Sequence, residues 1–109
     1  MKRLAMAFAA VCAAASGLSP ALAADPAAGR AKAAICRTCH GIDGVAINPM
    51  APHIAGESTI YLQTQLKAFR SGKREHEVMS VIAKQLSDDD IVNLAAWYSS
   101  IEFTVKVPE

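Results

Sequence analysis

Cys36-Arg37-Thr38-Cys39-His40, with Gly41 directly after it, places two thiols and an imidazole at helical spacing in this 109-residue sequence. Positions i, i+3 and i+4 share one face of a helix, so all three side chains would point the same way. Two thiols a turn apart can each add to one vinyl group of a haem while the neighbouring imidazole reaches the iron. C-x-x-C-H is the attachment pattern of c-type haem, and one short segment here supplies both staples and a ligand.

Other chemistries fit these residues less well. A zinc site would need its remaining ligands from His53 and His76, since the only other cysteine is Cys12. A thioredoxin-like dithiol expects strands and helices in alternation, and no such alternation is visible. A disulfide is feasible in an oxidising compartment but leaves His40 without a role.

The elements that must hold this motif lie downstream of a segment expected to be removed. Lys2 and Arg3 precede an apolar run over residues 4–15, and Ala21-Leu22-Ala23 has the small-x-small form of a signal-peptidase site. The run is shorter than the roughly 20 residues needed to span a bilayer. Residues 1–23 therefore read as a cleaved export signal that takes Cys12 with it, and residues 24–109 as one domain. A retained membrane anchor is the competing reading. Loss of Lys2 and Arg3 takes the basic residues from 11 to 9 against 10 acidic ones, and such a balance does not favour nucleic acid. A domain this small buries a limited share of its surface, which an apolar cofactor would help to complete.

Asp25-Pro26 suits a helix start, and residues 27–35 read as an alanine-rich helix running into the motif. Gly29 within it invites either close passage of another helix or simple tolerance near a helix end. Residues 41–56 lack a sustained period and read as loop, with Val45, Ile47, Met50 and Ile54 apolar enough to line a cofactor or to pack generically. Ser58 can cap a helix over residues 59–71 that Gly72 stops, with Leu62, Leu66 and Phe69 as its buried stripe. Arg70, Lys73 and Arg74 suit the negative end of that helix's dipole; Arg70 or Arg74 could also neutralise a haem propionate. Residues 75–80 form a polar loop carrying Met79, and residues 81–86 a further helical turn. Ser87 and the three aspartates after it open a last helix, whose inner face is expected to hold Ile91, Leu94, Ala95, Tyr98 and Ile101 beside Trp97.

Gly29 ahead of C-x-x-C-H-G, Pro52-x-Ile54-Ala55-Gly56, Tyr61-Leu62 with Gln65-Leu66 and Phe69, Gly72-x-Arg74, Met79, and Leu94-Ala95-Ala96-Trp97-Tyr98 occur in this order. Taken together, they make the chain resemble the class I c-type cytochromes, namely the small soluble bacterial monohaem type and single domains of its dihaem relatives. The resemblance implies an all-α small cytochrome c fold, three to five helices around one covalently attached haem c, with the first and last helices crossing near Gly29 and Trp97. It also implies that Cys36 and Cys39 bind the haem, that His40 ligates the iron and gives its Nδ1 proton to the carbonyl of Pro52, and that Met79 is the sixth ligand. Two features depart from the pattern: Ala33 stands where relatives often have an aromatic residue, and residues 102–109 form an extra tail.

Chain reach also separates the candidate sixth ligands. Met50 lies two residues before Pro52, on the stretch that must stay on the histidine's side of the ring. Met79 follows a whole helix and can approach the opposite face; His53 and His76 are the other candidates. A thioether favours ferrous iron, so His/Met ligation raises the potential, and burial penalises the additional charge of the ferric state. The expected function is that of a periplasmic one-electron carrier and not an enzyme. Its partners are redox proteins that donate and accept electrons, and the carrier itself is a monomer or weak dimer with no transmembrane segment once the signal is removed. A haem subunit of a larger oxidoreductase, or a haem enzyme or gas sensor with an open sixth position, are the alternatives.

Overall fold

A computed structural model describes residues 23–109; apart from Ala23, the expected export signal, with Cys12, lies outside them. The described residues form five helices and no strand. Helix α1 (Pro26–Lys32) starts where Asp25 Oδ1 accepts the amides of Ala27 and Ala28 at 2.9 and 3.2 Å, so a local carboxylate satisfies two otherwise unpaired donors. The expected single helix over residues 27–35 is in fact α1 tightened into a 3₁₀ turn, Ala33–Ile35. That change swings the chain into α2 (Arg37–His40), which Cys36 precedes.

Helix α3 (Thr59–Ser71) begins with the Ser58 hydroxyl accepting Tyr61 N at 3.1 Å and ends at Gly72. Helix α4 (Met79–Lys84) starts two residues earlier than the expected turn at 81, and Met79 is its first residue and not part of a loop. Helix α5 (Asp88–Ser99) opens on a reciprocal cap: Ser87 Oγ accepts Asp90 N, and Asp90 Oδ2 accepts Ser87 N, both at 3.0 Å. Ile101 falls beyond the end of α5 yet still packs against the core.

The fold turns on the crossing of α1 and α5. A methyl at Gly29 would overlap the carbonyl oxygen of Asn93 and come within 2.5 Å of its carbon and 3.0 Å of Trp97 Cβ. Of the two readings of Gly29, close passage is the correct one. Lys32 Nζ to Asp90 Oδ2, at 3.0 Å, and Asp25 N donating to Asn93 Oδ1, at 2.8 Å, flank the crossing. Beneath it Ala33, Ile91, Leu94, Ala95 and Tyr98 join Leu62 of α3 and Leu86 in one buried cluster. Arg70 ties α3 to the start of α5, donating to Leu86 O at 3.0 Å and pairing with Asp88. That commitment leaves Arg74, and not Arg70, to face the interior described next.

Candidate haem site

Between α2 with the loop after it, α3, the start of α4 and the inner face of α5 lies a cavity of about 410 Å³. Cys36, Cys39, His40 and Met79 all line it, so residues up to 43 positions apart in sequence share one wall. Leu62, Leu66, Phe69, Leu94 and Ala95 make the remainder largely apolar, and Arg74 is its only lysine or arginine.

The motif is held by its own backbone and by α5. Cys36 O accepts the amides of Cys39 at 3.3 Å and His40 at 3.0 Å, while Cys39 O accepts those of Ile47 and Asn48 at 2.9 and 3.1 Å. Gly41 then turns the chain with φ of 75°, where a Cβ would meet Asp43 Oδ1 and Val45 O at 2.5 Å. No other residue fits there, which accounts for the glycine after His40. Two side chains of α5 hold the turn from beneath: Trp97 Nε1 donates to Ile42 O at 2.8 Å and Tyr98 Oη to Gly41 O at 3.0 Å.

His40 is buried, with Nδ1 2.9 Å from Pro52 O. A carbonyl can only accept, so the proton sits on Nδ1 and the lone pair of Nε2 is left for a metal. Before attachment, burial pushes the Cys36 thiol up to about 11, against the opposing pull of the Tyr98 hydroxyl and Lys32. Burial raises Tyr98 as well, the Cys36 sulfur adding to the effect. Both groups are therefore neutral at physiological pH, as an apolar cavity requires.

Of the four loop residues apolar enough to line a cofactor or to pack generically, Met50 and Ile54 line the cavity, whereas Val45 and Ile47 are exposed and stand outside its wall. Met50 is 88% exposed against the half-buried Met79. His53 Nδ1 accepts Ala46 N at 2.8 Å and stays outside the cavity, while His76 lines it. Asn48 and Gln65 reach the cavity wall without having been assigned to it from sequence. Tyr98, expected on the inner face of the last helix, lines it too, and Arg74, one of the two arginines considered for a propionate, lies 4.5 Å from the Phe69 ring centre and donates to Gln65 Oε1 at 2.7 Å. Polar residues at helical spacing beside an apolar stripe carry little signal of their own; only the packing reveals which of them turn inward.

A haem suits this wall: two thiols and an imidazole with a free nitrogen stand at one end of an apolar cavity, and a thioether stands at the start of another element. The family model for cytochrome c matches residues 26–102. The chain belongs to the cytochrome c family. It is 43% identical to cytochrome c-554(548) of Halomonas halodenitrificans over 73% of this chain and the whole of that one. Cytochrome c4 of Pseudomonas aeruginosa is 41% identical over 83% of this chain, which spans 44% of the longer relative. The crystal structure of reduced recombinant cytochrome c4 from Pseudomonas stutzeri superposes with a TM-score of 0.70 at 35% identity, covering 76% of this chain and 48% of that one. The cytochrome thus holds a covalently attached haem c and serves electron transfer, as a carrier and not an enzyme. No helix among the described residues is long and apolar enough to cross a membrane.

Proposed function

We propose that Cys36 and Cys39 form the two thioether links, that His40 Nε2 and Met79 Sδ ligate the iron, and that the cytochrome shuttles single electrons between larger redox proteins in the periplasm. When bound, the haem supplies one iron that takes up and releases an electron. The observation that carries this reading is the meeting of all four side chains on one apolar cavity, with His40 Nδ1 already committed to Pro52 O. Pro52 thereby fixes the ring and makes its far nitrogen a better donor. Met79 contributes a soft donor that favours the ferrous state, and the apolar wall of α3 and α5 keeps water from the site.

Two rival sixth ligands share the cavity and are weaker. Met50 is 88% exposed and sits on the loop that carries Pro52. His76 Nδ1 accepts the amides of Val78 and Met79, each at 3.2 Å, so its proton is on Nε2 and neither nitrogen has a lone pair to give. Met50, Tyr61 and Val78 line the cavity and are exposed, which supports docking to a partner through a small apolar rim, in short-lived contacts at the low end of interface size. Export through residues 1–23 would deliver the chain to the compartment where such partners work.

The test is spectroscopic. Met79→Ala should keep the haem attached while the ferric form turns high spin, loses its near-infrared sulfur-to-iron band and falls in potential. Met50→Ala should do none of this. If Met50→Ala loses the band and Met79→Ala keeps it, the assignment of the sixth ligand is wrong.

A further inference from the structure

Helix α4 has no conventional cap. Val78, which precedes it, has helical torsions, and its side chain makes no capping bond, so the first amides of the helix must find acceptors elsewhere. Two of them converge on one atom: Val78 N and Met79 N each donate to His76 Nδ1 at 3.2 Å. An acceptor on residue i taking the amides of i+2 and i+3 is the arrangement Asn and Asp make in turns and caps, built here with an imidazole. Both the backbone and the ring of His76 are themselves held. His76 N donates to Ser80 Oγ at 3.0 Å, Ser80 N returns a bond to His76 O at 3.0 Å, and the ring stands edge-on to buried Phe69 with 6.4 Å between centres.

Packing does little to hold this end of the helix. Val78 and Val81 are 49% and 58% exposed, and the buried residue of α4 is Ala83, one turn further on. A six-residue helix does not sustain itself, so its first turn depends on the cap, and that first turn begins with Met79.

We infer that His76 is the positioning residue for Met79: by accepting the two amides that open α4, its Nδ1 keeps the thioether on the iron. The inference rests on Met79 being the sixth ligand. Fraying of the turn would carry Met79 away and free a coordination position. Loss of a cap of this kind shifts the balance at a helix end about tenfold, so a competing ligand should gain by a similar factor.

The experiment titrates ferric holoprotein with imidazole, following loss of the sulfur-to-iron band, in wild type, His76→Phe and His76→Asn. Phenylalanine keeps the ring against Phe69 but cannot accept; asparagine loses the ring but can accept both amides. His76→Phe should bind imidazole about tenfold more tightly than wild type, and His76→Asn should bind it as wild type does. Equal affinities in all three proteins, or an Asn variant as weakened as the Phe variant, would overturn the positioning role. Hydrogen exchange on the wild-type ferrous protein gives a reading that needs no variant. The Val78 and Met79 amides should exchange more slowly than that of Glu77, which finds no acceptor among the described residues; equal rates would overturn the role as well. A wild-type ferric protein without the sulfur band would overturn the ligand assignment itself, and is read before any substitution, so the two failures are told apart.

Discussion

Replacing Gly29 with alanine sets two opposing effects against each other. Alanine is the better helix former by about 1 kcal/mol, and Gly29 lies mid-way along α1, so propensity alone predicts a more stable protein. The added methyl, however, would land on the Asn93 carbonyl and within 3.0 Å of Trp97 Cβ. Backbone of α5 cannot step aside as a side-chain tip could, so α1 must lift by roughly 1 Å, a gap that forfeits a quarter to a half of the contact energy across the affected surface. Overpacking of this kind costs about 3 kcal/mol at the upper end of its usual range. Subtracting the propensity gain leaves a net loss of about 2 kcal/mol, or a fall in Tm of roughly 10 °C for a domain of this size. Thermal unfolding of the holoprotein by circular dichroism measures it. Ala31→Gly, on the exposed side of the same helix, is the control and should lose only about 1 kcal/mol. A Gly29→Ala protein as stable as wild type, or more so, would refute the close crossing.

Tyr98→Phe should cost about 0.5 to 1.5 kcal/mol, because it removes the buried hydroxyl's bond to the Gly41 carbonyl at 3.0 Å while that carbonyl keeps the Gly44 amide at 3.3 Å; the urea midpoint should fall with an unchanged m-value. Asp88, through its bond from Arg70, and Asp90, chiefly through the Ser87 amide, are both held below 3.8. A depressed folded pKa gives stability that is present above the unfolded value and lost as pH falls through the lowered one. Holoprotein stability should therefore decline below about pH 4, and an Asp88→Asn, Asp90→Asn double variant should show a flatter acid limb in urea titrations. If residues 1–23 are cleaved as proposed, Lys2 and Arg3 leave with them and basic and acidic residues nearly balance, so association rates with a redox partner should change only modestly with ionic strength in stopped-flow; a steep fall would point to strong electrostatic steering.

What could be read from the sequence was whatever is decided locally. Cys36, Cys39 and His40 are legible because one helical turn fixes their relation, and the starts of α1, α3 and α5 because Asp25, Ser58 and Ser87 cap amides two or three residues away. Local pattern left the purpose of Gly29 open between two readings, since its partners Asn93 and Trp97 lie more than sixty positions downstream; only the resemblance to the family implied the crossing. The engagement of Arg70 with Leu86 and Asp88 was not legible, because it requires α3 and α5 to be docked. The start of α4 escaped for another reason: its cap is local, but it comes from an imidazole two residues ahead of Val78, a residue type that carries no capping signal. Met79 was accordingly expected in a loop, although its proposed role depends on lying at the head of a helix.

Fold and site are not separable in this cytochrome. Leu62, Leu94, Ala95 and Tyr98 belong both to the buried cluster and to the cavity wall, and Tyr98 in addition holds the turn at Gly41. An apolar group filling the cavity therefore packs directly on the side chains that join α3 to α5, and its binding energy becomes folding energy. The same contacts keep polar groups and water at a distance, and a low dielectric disfavours the extra charge of the ferric state. Loosening α5 at Leu94 would thus act twice, weakening the core and admitting water to the iron, so stability and potential should fall together. A change at exposed Val45 or Ile47, outside the cavity wall, has no route to either.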